Sequence, residues 1–159
     1  MVKYNMKNVL VVILAFLMIG LQKQAMAQTP EMEVQKVIEQ LFDAMRAKDG
    51  VAAGAVFLET APMQTVVAGE NGSTLGSNSV ADFVNRIATT PEDVNLDERI
   101  LDYQIKVDGD LAAAWTPYEF YVNDQFSHCG VNSFQLVRTA EGWKISYIID
   151  TRRKEGCNP

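Results

Sequence analysis

The chain has 159 residues, of which 48% are apolar, 21% charged and 9% aromatic, and its formal net charge is -6. This length favours one domain, and the composition excludes a disordered or a collagen-like chain. Residues 1–27 contain three lysines and no acidic residue, so the remainder has 11 basic and 20 acidic residues and a charge of -9. So acidic a surface argues against nucleic acid as a partner, because phosphate binding needs a basic footprint.

The first 27 residues have the pattern of a secretory signal peptide. Two lysines precede the 13-residue apolar run VLVVILAFLMIGL, and Ala25-Met26-Ala27 follows it as an A-x-A cleavage site. A transmembrane anchor needs roughly 18–20 apolar residues, and the polar residues at 22–24 end this run too early. We therefore predict cleavage after Ala27, a periplasmic or secreted protein, and no stable membrane anchor in its mature form.

Two helices are predicted at the start of the mature chain. Thr29-Pro30-Glu31 supplies a capping hydroxyl, a proline at the first helical position and an acid near the positive end of the helix dipole. Apolar residues then recur at steps of three and four, which indicates one amphipathic helix ending at Lys48-Asp49-Gly50. Residues 51–58 favour a second, short helix.

The middle of the chain predicts one strand and one more helix. Residues 64–68 have strand character and run into a glycine-rich turn at 69–72. Ser79 and Asp82 form a capping-box start for a third helix through Ile87. Residues 89–98 are interpreted as an acidic connector.

From Arg99 onwards the apolar residues alternate with polar ones, which predicts strands over 101–107, 111–122, 126–138 and 143–151. The intervening turns are Asp108-Gly109-Asp110, Asn123-Asp124 and Ala140-Glu141-Gly142. Helices followed by a strand meander predict an α+β fold, with three N-terminal helices packed on a mostly antiparallel sheet. No linker is evident, so residues 28–159 are predicted to be one domain.

Cys129 and Cys157 are the only cysteines, and an even count in an exported protein permits a disulfide. The enclosed loop of about 28 residues would contribute about 3–4 kcal/mol to stability. The alternatives are a buried Cys129 with a loose thiol at position 157, or a metal site with His128. The spacing gives no support for a metal site, so we expect the disulfide and no metal.

Several local sequences resemble the nuclear transport factor 2-like (SnoaL-like, cystatin-like) superfamily over about residues 31–153. They are Phe42-Asp43-Ala44-Met45 near the end of the first helix and Gly142-Trp143-Lys144-Ile145 at the last strand. The stretch from Trp115 to Arg153 looks like an uncharacterised secreted subgroup. The resemblance implies a curved sheet wrapped around the first helix as a cone with an apolar pocket, often in a dimer. It implies no single activity, because the superfamily includes isomerases, cyclases, dehydratases and plain binding domains.

The hairpin around Asn123-Asp124 supplies a candidate site. A regular register places Glu119 opposite His128, Tyr121 opposite Phe126 and Trp115 opposite Asn132, with these side chains on one face. A carboxylate beside an imidazole could act as an acid–base pair, because the carboxylate would raise the histidine pKa. Tyr121 or Tyr118 could hydrogen-bond a developing oxyanion. The alternative is an ordinary cross-strand ion pair at the rim of the sheet.

Further ligand contacts are expected from aromatic and polar residues facing the cone: Trp115, Tyr121, Asn132, Phe134, Phe42 and Arg153. Trp143 is interpreted as core, and the basic run at 152–154 as either a contact for an anionic ligand or a solvated strand end. The glycine-rich segment 69–76 lacks the lysine of a P-loop and GxGxxG spacing, so no cofactor is expected.

The sequence thus predicts an exported domain that binds a small, partly apolar molecule in its cone and forms a homodimer through the outer face of its sheet. The alternative is a cofactor-independent isomerase or dehydratase with His128 as base and Glu119 as its partner. A third hypothesis is a structural partner domain whose cone is filled by side chains.

Overall fold

The computed structural model describes residues 28–157, and within them lie three helices. Helix α1 (Pro30–Arg46) is capped by the Thr29 hydroxyl, which accepts a hydrogen bond from the amide of Met32. Helix α2 (Gly50–Ala55) is capped by Asp49, and helix α3 (Val80–Ala88) by Ser79. The caps at Thr29 and Ser79 are those expected from the sequence, whereas Asp49, expected at the end of the first helix, caps the second.

Seven strands form one curved, mostly antiparallel sheet in the order β2-β1-β7-β6-β5-β3, with β4 also pairing with β5. Among these seven strands, β1 and β7 are the one pair that runs parallel. The strands are β1 (Met63–Val67), β2 (Thr74–Asn78), β3 (Leu96–Ile100), β4 (Gln104–Asp108), β5 (Leu111–Val122), β6 (Gln125–Thr139) and β7 (Gly142–Thr151). The fold is α+β, as predicted.

Three element predictions need correction. The strand expected over 101–107 begins only at Gln104, as β4, and a separate strand, β3, precedes it and pairs with a different part of β5. The supposed acidic connector 89–98 already contains the start of β3, and β2 was not predicted. Helix α3 follows the β1–β2 hairpin, so only α1 and α2 precede the whole sheet.

The apolar stripe of α1 packs on the inner face of the sheet. Val34 and Ile38 are fully buried, and the Phe42 ring meets Phe134 of β6 edge to face at 6.4 Å. Trp143 is buried in the same core, as predicted.

The β5–β6 hairpin has the predicted two-residue turn but not the predicted register. Asn123 and Asp124 both have positive φ, as a tight hairpin turn requires. Tyr121 faces Phe126 as expected, but a β-bulge at Ser127 then shifts the pairing by one residue.

Gly130 allows a close approach between β6 and β7. A Cβ atom at this position would collide with the carbonyl oxygen of Thr151 and would lie 2.8 Å from Cε1 of Tyr118. The Tyr118 hydroxyl donates to that same Thr151 oxygen at 3.0 Å. The missing side chain therefore leaves room for a buried tyrosine.

A disulfide joins Cys129 of β6 to Cys157 in the C-terminal tail, as predicted. The tail also pairs through its backbone, since Cys129 and Arg153 exchange two hydrogen bonds of 2.9 Å. Disulfides are typical of oxidising compartments. No helix among residues 28–157 is long and apolar enough to cross a membrane. The proposed leader, residues 1–27, lies outside the described part of the chain.

Candidate functional site

A cavity of about 600 Å³ lies between α3, the segment after it and the inner face of the sheet. Its apolar wall is formed by Phe83, Ile87, Pro91, Val94, Leu96 and Phe120. An adjoining space of about 80 Å³ continues to Leu41 and Phe42 of α1. This volume is in the range of small-molecule sites, and an open cavity contradicts the hypothesis of a cone filled by side chains.

A row of polar side chains crosses the apolar inner face of the sheet. Thr116 on β5 pairs with Asn132 on β6, which pairs in turn with Asp150 on β7. The Asn132 amide donates to Oε1 of Glu98 on β3 at 2.7 Å. Glu98 and Asp150 line both parts of the cavity.

Burial changes the acidity of Glu98. Its pKa is raised from 4.5 to about 7, mainly by the loss of hydration and also by the nearby negative charge of Asp150. The hydrogen bond from Asn132 and the charge of Arg152 act in the opposite direction. Glu98 therefore exchanges a proton near neutral pH.

Two buried oxygens of this row have no hydrogen-bond partner among the described residues: Oγ1 of Thr116 and Oδ1 of Asp150. The other carboxylate oxygen of Asp150 accepts a 2.8 Å hydrogen bond from Nε of Arg152. Unpaired buried polar atoms are rare in folded proteins and destabilise them.

His128 reaches the same cavity from β6. Its ring lies 4.9 Å from the Phe120 ring and 5.8 Å from the Tyr118 ring, and Nδ1 is 3.1 Å from the Ser127 hydroxyl. Burial lowers the pKa of His128, and the positive charge of Arg152 lowers it further. His128 is therefore neutral at pH 7.

The predicted pairing of Glu119 with His128 is wrong. Because of the bulge at Ser127, Glu119 faces Cys129 and His128 faces Phe120. Glu119 lies on the outer face of the sheet, where its carboxylate accepts a hydrogen bond of 2.8 Å from the Tyr121 hydroxyl. Glu119 therefore does not raise the histidine pKa as had been expected; Asp150 raises it, but burial and the charge of Arg152 lower it by more.

The other outer-face residues are also separated from the cavity. Trp115 faces Ser133, not Asn132, and is 50% exposed. The guanidinium of Arg99 lies 4.0 Å above the Tyr121 ring, which places Tyr121 in a surface network. Because side chains alternate between the two faces along a strand, Trp115 and Tyr121 point away from the inner face. The prediction that they lie on the same face as His128 is therefore wrong.

The remaining predicted contacts divide between the cavity and its surroundings. Asn132 and Phe42 line the smaller space. Phe134 is fully buried behind Phe42 and supports it. Arg153 lies on the exposed tail beside Cys129, and its neighbour Arg152 lines the cavity instead.

Sequence reasoning missed Glu98 and Asp150. The charged triplet at 97–99 looks like a solvated connector, which hides the alternation of Leu96, Glu98 and Ile100 along β3. Asp150 continues the alternation of inward residues on β7 after Ile148. One signal in the sequence could have revealed both residues: each is an acid at a position where the alternation predicts an inward, apolar side chain.

No family model matches the chain, and no curated protein is significantly similar to it. Solved structures do match. A protein of unknown function from Mycobacterium tuberculosis is 13% identical, with 80% of this chain and 74% of the other covered and a TM-score of 0.62. A nuclear transport factor 2-like protein with a cystatin-like fold from Novosphingobium aromaticivorans is 17% identical, with 78% and 81% covered and a TM-score of 0.62.

A third similar structure is a candidate dehydratase of the nuclear transport factor 2-like family from Streptomyces avermitilis, 15% identical, with 76% and 94% covered and a TM-score of 0.59. Identities this low establish the fold alone. The chain has the cystatin-like fold of nuclear transport factor 2-like proteins, in agreement with the resemblance found in its sequence.

Proposed function

We propose that the chain binds a small, partly apolar molecule in the cavity between α3 and the sheet. The observation that carries the proposal is a pair of carboxylates, Glu98 and Asp150, on a cavity of about 600 Å³ that has a large apolar wall. Asn132, which lines the adjoining space, holds Glu98 in place by a hydrogen bond. Apolar walls with a few convergent polar groups are typical of ligand sites.

Native mass spectrometry of the purified protein tests this proposal, since a retained ligand adds a discrete mass. Val94→Phe narrows the cavity and is expected to abolish the added mass. Val51→Phe makes the same exchange at an exposed position of α2 and is expected to retain it. Equal occupancy in both variants would place the ligand elsewhere.

A second candidate is a cofactor-independent isomerase or dehydratase, and the acidity of Glu98 favours it. A base works best when its pKa lies near the working pH, and that of Glu98 is about 7. In this proposal Glu98 removes a proton from a bound carbonyl compound, and the neutral ring of His128 donates a hydrogen bond to the oxyanion that forms. Glu98 thus replaces the predicted Glu119 as the acidic residue.

Proton exchange distinguishes the enzyme from the binding protein. The ligand found by mass spectrometry is incubated in D₂O, and its C–H exchange is followed by NMR. Glu98→Gln is expected to abolish protein-dependent exchange, whereas Glu119→Gln on the outer face leaves it unchanged. No exchange above the buffer rate with the wild type would exclude proton abstraction and leave binding as the function.

We also propose that the chain is exported and cleaved after Ala27. The disulfide supports an oxidising destination. The mass of the protein recovered from the producing cell checks the cleavage site: a chain beginning at Gln28 is expected, and an intact Met1 would contradict export by cleavage.

A further inference from the structure

We propose that the ligand presents a hydrogen-bond donor, a hydroxyl or an ammonium group, to the Glu98 and Asp150 carboxylates. This inference rests on the proposed binding in the cavity and adds the chemistry of the buried end of the ligand.

The first support is the state of Asp150. Its side chain lines both parts of the cavity and is only 8% exposed. Arg152 binds one oxygen, while Oδ1 accepts no hydrogen bond from any residue between 28 and 157. A buried carboxylate oxygen without a donor is costly, and a donor on the ligand would remove that cost.

The second support is the neighbouring carboxylate. Asn132 donates to Oε1 of Glu98, whereas Oε2 accepts no hydrogen bond within the described chain. No described Arg or Lys lies within 4.0 Å of the Glu98 carboxylate. Two acidic side chains on one cavity thus have acceptor capacity left over.

The third support is that the Tyr118 hydroxyl of the same cavity is already used, because it donates to the Thr151 carbonyl oxygen. Arg86 and Arg152 also line the cavity, but the hydrogen bonds that they donate go to Asn78 and to the other carboxylate oxygen of Asp150. Oδ1 of Asp150 and Oε2 of Glu98 therefore still lack a donor. A ligand whose inner end is a carboxylate or an ether would add an acceptor beside these two oxygens, where a donor is needed.

Four adamantane derivatives that differ only in their polar group test the proposal. The full mature chain is titrated at pH 8, followed by NMR, with 1-adamantanol, 1-adamantanamine, 1-methoxyadamantane and 1-adamantanecarboxylate. The alcohol or the amine is expected to bind about tenfold more tightly than the ether, as one satisfied buried acceptor predicts. The carboxylate is expected to bind most weakly, and the comparison of alcohol with amine shows which donor is preferred.

Single substitutions test whether Asp150 and Glu98 cause the preference for a hydrogen-bond donor. Asp150→Asn and Glu98→Gln are each expected to reduce the advantage of the alcohol or amine over the ether, whereas Glu119→Gln retains it. An ether or carboxylate that binds as tightly as both donors would overturn the donor proposal while leaving cavity binding intact. Failure of all four probes at millimolar concentration, or binding that Val94→Phe does not weaken, would instead contradict the proposed function.

Discussion

Asn132 on β6 donates a 2.7 Å hydrogen bond to Glu98 on β3, across the intervening strand β5. The two residues are 34 positions apart and belong to strands that do not pair with each other. The contact joins the middle of the sheet to its edge and fixes the Glu98 carboxylate at the cavity. It also stabilises the ionised form of that carboxylate, which burial disfavours.

Replacement of Asn132 by leucine is expected to raise the pKa of Glu98 above its value of about 7. The reason is that the substitution keeps a similar volume but removes the hydrogen bond that lowers the pKa. Carboxyl chemical shifts followed by NMR during a pH titration measure the change. Asn85→Leu on the exposed side of α3 serves as the control, and an unchanged Glu98 pKa in Asn132→Leu would contradict the assigned contact.

Glu98 should make the stability of the protein depend on pH. Its pKa is raised from 4.5 to about 7, so the folded state holds a proton that the unfolded state has released over this interval. The free energy of unfolding should therefore fall as pH rises from about 4.5 to about 7, by on the order of 2–3 kcal/mol from this group.

Urea denaturation of the wild type and Glu98→Gln across this pH interval checks the dependence. The variant cannot ionise at position 98. Its free energy of unfolding should therefore rise relative to that of the wild type as pH rises. Glu70→Gln, in the exposed turn after β1, should follow the wild type. Parallel curves for the wild type and Glu98→Gln would show that Glu98 titrates normally.

The sequence was sufficient for the helices, the caps of α1 and α3, the turn of the β5–β6 hairpin and the disulfide, because each depends on local pattern or on a unique pair of cysteines. The candidate site was predictable only in part. Asn132 and His128 were assigned to the inner face correctly, but one extra residue at Ser127 moved Glu119 away from His128. A bulge leaves the alternation on either side intact, so no local pattern marks it. Glu98 was missed because its role depends on Asn132, which only the folded chain brings close.

Gly130→Ala is expected to destabilise the protein by about 2–4 kcal/mol or to prevent folding, because its methyl group meets the Thr151 backbone. Thermal or urea unfolding measures the loss. Gly76→Ala on β2 is the matched control, since a methyl group there makes only ordinary contacts of 3.7 Å or more. Equal stability of the two variants would refute the close approach of β6 and β7.

Removal of the disulfide by the double substitution Cys129→Ser and Cys157→Ser should lower the free energy of unfolding. The bond closes a loop with a sequence separation of 28, for which loop-closure entropy gives about 3–4 kcal/mol. Urea denaturation measures this loss, and labelling of the unreduced, denatured wild type should find no free thiol. Two labelled thiols would show that the bond does not form.

We propose that two copies associate through the outer face of the sheet, as expected from the sequence. Trp115 and Leu111 of β5 are about half exposed on this face, and Phe126 of β6 is 45% exposed. Trp115→Glu would place a charge in the contact and is expected to convert a dimer into a monomer. Light scattering at tens of micromolar measures the mass, with Val51→Glu on α2 as control. A monomeric wild type would refute the proposal.

The close packing at Gly130 constrains positions 130 and 118 of the sequence to different degrees. The obstacle to a side chain at position 130 includes a backbone carbonyl, which no exchange at another position can remove. Tyr118 contributes only its side chain, and a smaller residue there would lose one hydrogen bond without reopening position 130. Related chains that keep this path of β7 should therefore vary at position 118 while retaining glycine at position 130.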